Sequence, residues 1–443
     1  MSMLRDRQNF HLTGATESAL AHYERANHEL RCFIGDPVAS IEAAIADAPD
    51  FVMAHVFKGY LYGLSTERAA AMVARQCHAA VAAISATVRE AHHVAALGHL
   101  ANGRWHASGA TLGALSSDHP LDVLALQTGH QIDFFTGNAS MLRDRIDRAL
   151  PFWSPTVDGH HALLAMAAFG HEEMGDYGRA ETLGRNALSL EPRDGWAQHA
   201  VAHVMEMQSR QRDGIAWMRD NSDVWSKDSF FQVHNWWHLA LFHYELGEID
   251  AVLDLYDGPI YGERSTLALN MLDASALLWR LQLGGVDVGD RWAALADNWL
   301  PLARDGNYAF NDIHAMMAFV GAGRHDAARD LIEAQREAMA GQGDNAMFTR
   351  DVGHPVTLAI QAFGAARYDD AVRLLLPIPP IAHRFGGSHA QRDVIDLTLM
   401  EASLRADRFD VARDLASRRY AARPTSPLSA LFVRRAQPPV ALN

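Results

Sequence analysis

An all-α fold, a right-handed α-solenoid superhelix of roughly nine to eleven stacked helical hairpins, is what this sequence predicts, and three observations predict it. The run from His160 to Asp194 holds two helical patterns of apolar and small residues, broken at Gly175-Asp176-Tyr177 and stopped at Pro192. Sliding the frame by 34 residues lays Ser209 over Gly175, Gln211 over Tyr177 and Gly214 over Ala180. Turn signals then recur at Gly103, Gly137, Gly247, Gly284 and Gly323, and at Ala366-Arg367-Tyr368 and Asp407-Arg408-Phe409, with spacings of mostly 34 to 43 residues. A fixed period of this size marks hairpins that bury their apolar faces only by stacking on neighbours.

Taken in order, residues 1–16 form a lead-in. The pattern then predicts a helix over Glu17–Phe33, a stop at Gly35-Asp36-Pro37 and a partner through Ala48. The second hairpin is predicted over Ala54–Leu64 and Glu67–Val88. The third takes Arg89–Leu100 with a partner to Leu115, and the fourth Leu121–Phe135 with a partner to Phe152. The most regular part is 160–256. Asp257–Ser265 and Ile378–Ser388, the latter with Pro379-Pro380 and Gly386-Gly387, break the rhythm and are predicted as loops that fold over a groove. One array is expected over 1–422, followed by an extended tail over 423–443.

At 443 residues the chain exceeds a single compact core, and its 49% hydrophobic and 21% charged residues exclude a disordered chain. A formal charge of -14, with only Arg418-Arg419 and Arg434-Arg435 as basic pairs, argues against nucleic acid and anionic lipid as partners. The N-terminal MSMLRDRQNF has no apolar signal region, and no apolar run reaches the roughly 20 residues of a membrane span, so a cytoplasmic location is expected. Two cysteines, Cys32 and Cys77, read as buried reduced thiols in separate helices. GxSxG, GxGxxG and the phosphate-binding GxxxxGK[ST] are absent, which argues against serine-hydrolase and nucleotide readings.

The central functional signal is His199, His203 and Glu206, at i, i+4 and i+7 on one helix face, with Glu172 one repeat earlier at the position of Glu206. Gly-Asp-Tyr, Ala180, Ala187-Leu188 and Pro192 resemble the tetratricopeptide repeat, whose first helices line a concave groove. That frame adds His22 and Arg25, Glu90 and His93, Gln127 and Gln131 to the groove face, and His234 and Trp237 from the stretch Phe230–His243. Histidine with glutamate departs from the usual groove for peptide carboxylates.

Arg89-Glu90-Ala91-His92-His93, GHEEMGDY, DGWAQHAVAHVMEMQ, FFQVHNWWHLALFH, Asn311–Arg324 and Gly386–Asp393 make the chain similar to the tetratricopeptide repeat protein 38 family over nearly its full length. The resemblance implies a helical solenoid and transfers no catalytic residue.

Three readings follow. A binding module would hold a small molecule or short peptide among His22, Arg25, Gln127, Gln131, His199, His234 and Trp237. A hydrolase would use the same pocket, with Glu90, His93, Glu172, His203 and Glu206 as acid/base groups, or with a divalent metal such as zinc on His199, His203 and Glu206. A scaffold would take protein partners. Homodimerisation is compatible with the chain, but no patch specifies it.

Overall fold

The computed structural model describes residues 4–437. Among them are twenty-five α-helices and one two-stranded antiparallel ribbon, Leu4–Arg5 with His11–Leu12. Successive helices pack in sequential pairs, as the period requires. The described residues divide into two compact units. The first comprises residues 4–204, Asn221–Asn235 and Gln342–Asp344, and the second Met205–Asp220, Trp236–Gly341 and residues 345–437.

The hairpins of the first unit begin with Glu17–Cys32 and Pro37–Asp47, then Val52–Gly63 and Arg68–Val81, and Val88–Ala101 and Trp105–Asp118. Val123–Phe135 pairs with Ala139–Ala149, and His160–Glu173 with Tyr177–Leu190. The turns work alike. Gly103, Gly137, Gly175, Ser209, Gly247, Gly285 and Gly323 all have positive φ, as do Ala366 and Asp407. One left-handed residue reverses the chain after each first helix, and its repetition is the turn signal in the sequence. At Gly284-Gly285 it is the second glycine, with φ 79°, that makes the reversal.

One predicted helix was too long. The pattern over Glu67–Val88 ends at Val81, because Thr87 and Glu90 form a reciprocal capping box that opens the next helix at Val88. The C-terminal segment, expected to be extended, carries a helix over Pro427–Arg435. Ser426 accepts the backbone N–H of Ser429, and Pro427 sits in the first turn, where its missing N–H costs nothing. The rest of that segment, 438–443, lies outside the described residues.

Both rhythm-breaking stretches are ordered within the second unit. Tyr256–Ile260 is a π-turn kinked at Gly258, and Asp257 is clamped by Arg291 at 2.8 and 2.6 Å. Pro379–Phe385 is a 3-10 helix whose Phe385 carbonyl accepts the Tyr308 hydroxyl.

Small residues set how closely helices approach. A Cβ on Gly184 would lie 2.6 Å from Val201, and one on Gly214 2.4 Å from the Phe242 ring. Gly170 is constrained differently, because its Cβ would sit 2.7 Å from the backbone of Leu142 and Arg143, which has no rotamer with which to yield. Alanine normally favours a helix over glycine by about 1 kcal/mol, but overpacking costs about 1–3 kcal/mol. Gly170→Ala is therefore expected to lower the urea midpoint, whereas Gly178→Ala, with nothing within 4 Å of the added methyl, is expected to hold or raise it. Equal behaviour of the two variants would disprove the close-packing account.

Candidate functional site: a buried histidine and glutamate cluster

The helices His160–Glu173 and Gly195–Met207 carry the central side chains of the first unit. Asp194 fixes the start of the second, its Oδ1 accepting the backbone N–H groups of Trp196 and Ala197 at 3.1 and 3.0 Å. Four residues apart on that helix, His199 and His203 stand with ring centroids 4.4 Å apart and nearly perpendicular. His234, near the start of Gln232–Glu245, brings its Nε2 to 3.1 Å from Nε2 of His199. Glu172 places Oε2 3.6 Å from Nδ1 of His203.

One nitrogen from each of His199, His203 and His234 lies within 4.8 Å of the others, and the carboxylates of Glu172 and Glu173 stand equally close to His203. His203 thus belongs to both groups. His203 and Glu172 are fully buried. Aromatic rings enclose them. Phe169 lies 5.3 Å from both His199 and His203, Trp196 4.8 Å and Phe231 5.2 Å from His199. Imidazole nitrogens and carboxylate oxygens in a dry shell are donors for a borderline transition metal.

Beside this cluster Trp196 also walls an open recess of about 230 Å³, lined with Arg31, Phe33, Gln127, His130 and Gln131. Phe33 stacks on Trp196 at 5.4 Å, and Gln127 donates to the Leu30 carbonyl. Burial, reinforced by Arg145, pushes the His130 imidazole down to about 3, so it enters the recess neutral.

Other residues of interest have partners of their own. Glu90 accepts from the Thr13 amide and hydroxyl at 2.8 and 2.6 Å, and from the Thr87 amide and hydroxyl at 2.9 Å each. These bonds commit it to the helix start. His93 donates from Nε2 to Asp122 at 2.9 Å and meets the Tyr60 hydroxyl at 3.1 Å through Nδ1. Desolvation lowers its pKa below the ordinary imidazole value, against the pull of Asp122. Arg89 reaches the same carboxylate at 2.6 Å. His22 stands 3.6 Å from Asp47 near the surface, and Arg25 is exposed. Glu206 and Trp237 belong to the second unit. There Glu206 lies 3.0 Å from Nδ1 of His238, and Trp237 is buried with the Arg280 guanidinium 5.3 Å from its ring.

Sequence spacing pointed to His199, His203, His234 and Glu172, which the structure gathers. It did not point to Glu173, Asp122 or Arg89 as members of polar clusters. For Asp122 a usable signal was present, since an aspartate just before the apolar run from Val123 is a helix cap.

No family model matches the chain. Two solved structures are similar to it over most of both chains. Human IFIT1, as a dimer with m7Gppp-AAAA, is 13% identical, covers 98% of this chain and 95% of its own, and gives a TM-score of 0.43. A monomeric IFIT1 mutant with Gppp-AAAA is 13% identical, covers 95% of each chain and gives 0.42. The protein is all-α, of tetratricopeptide-like helical hairpins. Among the described residues no helix is long and apolar enough to cross a membrane.

Proposed function

We propose that this protein is a tetratricopeptide-like metal-binding protein, and that His199, His203 and His234 hold one divalent transition-metal ion of the zinc class. The observation that carries the reading is the convergence of three imidazole nitrogens within 4.8 Å inside an aromatic shell. Glu172, behind Nδ1 of His203, orients that ring and raises its basicity, leaving Nε2 for the metal. When bound, such an ion supplies Lewis acidity and, through an open coordination position, an activated water. The similarity of motifs to the tetratricopeptide repeat protein 38 family supports placing the chain near that family.

Size decides between a metal and an organic ligand. Pockets for drug-sized molecules span about 300–1,000 Å³, whereas the recess beside Trp196, for all its 230 Å³ of empty space open to solvent, has only about 10 Å³ in which a water-sized sphere fits. A small ligand reaching Gln127 and Gln131 there is the second reading.

The test loads the full chain with zinc, removes weakly bound ion by gel filtration and measures metal per chain. His199→Ala combined with His234→Ala is expected to remove one equivalent while a cooperative melt is retained. Glu172→Gln is expected to weaken zinc about 10–100-fold. Unchanged stoichiometry in the double variant would overturn the proposal, as would a wild-type chain that takes up no zinc.

A further inference from the structure

A second group of metal-ligating side chains lies in the first unit, apart from the central histidines, and contains one of the two cysteines. His28 and Cys32 stand one turn apart at the end of the helix Glu17–Cys32. Glu191 follows the helix Tyr177–Leu190, and one donor atom from each of these three residues lies within 4.8 Å of the others. The Cys32 sulfur is 3.9 Å from Nδ1 of His28 and 4.0 Å from Nε2 of His161. His161 comes from the first turn of His160–Glu173, and its Nδ1 is bonded to Oδ2 of Asp194 at 2.7 Å. Cys32 and Asp194 are fully buried.

We infer that His28, Cys32 and Glu191 bind a divalent zinc-class cation, with His161, which stands against the sulfur but outside that three-residue group, closing in as the fourth ligand and Asp194 as the carboxylate that orients it.

Distance, chemistry and position agree. Zinc holds sulfur at about 2.3 Å and imidazole nitrogen at about 2.0–2.1 Å, so two such ligands on one ion stand close to the separations seen around Cys32. Thiolate, imidazole and carboxylate are its preferred donors. The bond from His161 to Asp194 fixes the proton on Nδ1 and directs the lone pair of Nε2 at the sulfur, the arrangement in which a carboxylate supports a metal-bound histidine. Gly195 allows this approach, because a Cβ there would come within 3.3 Å of the Cys32 carbonyl oxygen. Its neighbours Glu191 and Asp194 are thereby brought to the end of the first helix.

Cys32, His161 and Asp194 also resemble a nucleophilic triad, but the surroundings favour a bound cation. A reactive thiolate needs a helix N-terminus or a fixed positive charge beside it. Cys32 is the last residue of its helix, at the negative end of the dipole. Burial and the carboxylates of Asp194 and Glu191 act against a free thiolate more strongly than Arg31 and Arg193 act for one. A divalent ion offsets that negative potential and takes the sulfur as thiolate, the thiol proton passing to solvent.

The site is separable from the central one because only it contains sulfur. The full chain, freed of metal by chelation, is titrated with Co²⁺ and followed by absorption. A near-ultraviolet sulfur-to-cobalt charge-transfer band is expected, rising to one equivalent and bleached by Zn²⁺. Cys32→Ser should abolish it. Cys77→Ser and the double variant His199→Ala with His234→Ala should keep it. If Cys32→Ser does not fold, His28→Gln should weaken cobalt at this site at least 10-fold. Absence of the band in the wild type, or its persistence in Cys32→Ser, would overturn the inference. Loss of the central site would show separately, as a missing equivalent without change in this band.

Discussion

Replacing Asp122 by Asn is expected to cost the protein about 3–5 kcal/mol of stability, because it breaks a buried ion pair and leaves its partner in place. Oδ2 of Asp122 accepts from Arg89 at 2.6 Å and from His93 at 2.9 Å, while Oδ1 accepts the Ala125 N–H at 3.1 Å. Burial opposes ionisation of this carboxyl, but Arg89 and His93 outweigh it and hold its pKa far below the carboxylate range. An amide cannot neutralise Arg89, whose remaining contacts are Asp6 at 3.9 Å and the Phe10 ring at 4.3 Å. A folded pKa below the unfolded one gives stability that is complete above about pH 4 and is lost as pH falls through the folded value. The gap between wild type and Asp122→Asn should therefore be constant from about pH 5 to 8 and narrow only in acid. Removing the stranded charge as well, in Arg89→Met with Asp122→Asn, should cost less than the sum of the single variants. Chemical denaturation at several pH values reads all three outcomes, and additivity of the two substitutions would contradict the pairing.

That network shows where sequence reasoning stops. The hairpins were legible because each one repeats the same local physics, an amphipathic first helix, a left-handed turn residue and a second helix with small residues at the contact. Gly175, Ala180 and Pro192 are enough to read one. The stripe of His199 and His203 was legible because i, i+4 spacing fixes a shared direction, and Glu172 followed from the period. Asp122 with Arg89, and Cys32 with Glu191, were not, because their partners are 33 and 159 residues away and meet only once several hairpins have stacked. His28 and Cys32 are also an i, i+4 pair, and such pairs are common without a ligand. What distinguishes this one is the arrival of Glu191 and His161 from other hairpins, and periodicity cannot say which turn abuts which helix end.

Capping explains why other residues left the site. Glu90 lay on the correct face by spacing, yet Thr87 three residues earlier converts the pair into a helix start. The same pattern closes Ser388 and Gln391 in the second unit. A carboxylate already accepting from Thr13 and Thr87 has little capacity left for a substrate proton.

The opposite pH dependence is expected at Asp312, where Asp312→Asn should stabilise the protein by about 2–4 kcal/mol at pH 8.5. Asp312 is buried in the helix Ala309–Gly321, and Gln335 donates to it at 3.2 Å. Burial pushes its carboxyl up to about 7. The amide of Gln335 pulls the other way, and Asp305 adds to the rise. Above its unfolded pKa near 4 the unfolded chain has already lost this proton while the folded chain keeps it, so stability falls as pH rises to about 7 and stays low beyond. Asparagine presents the same acceptor to Gln335 without a charge, which removes the penalty. The variant should match wild type near pH 4, pull ahead between pH 5 and 7, and hold its lead at pH 8.5. Guanidinium midpoints at these pH values measure it. A gap that is independent of pH, or an Asp312→Asn chain less stable than wild type at pH 8.5, would show that the carboxylate is solvated or paired in a way that cancels its burial.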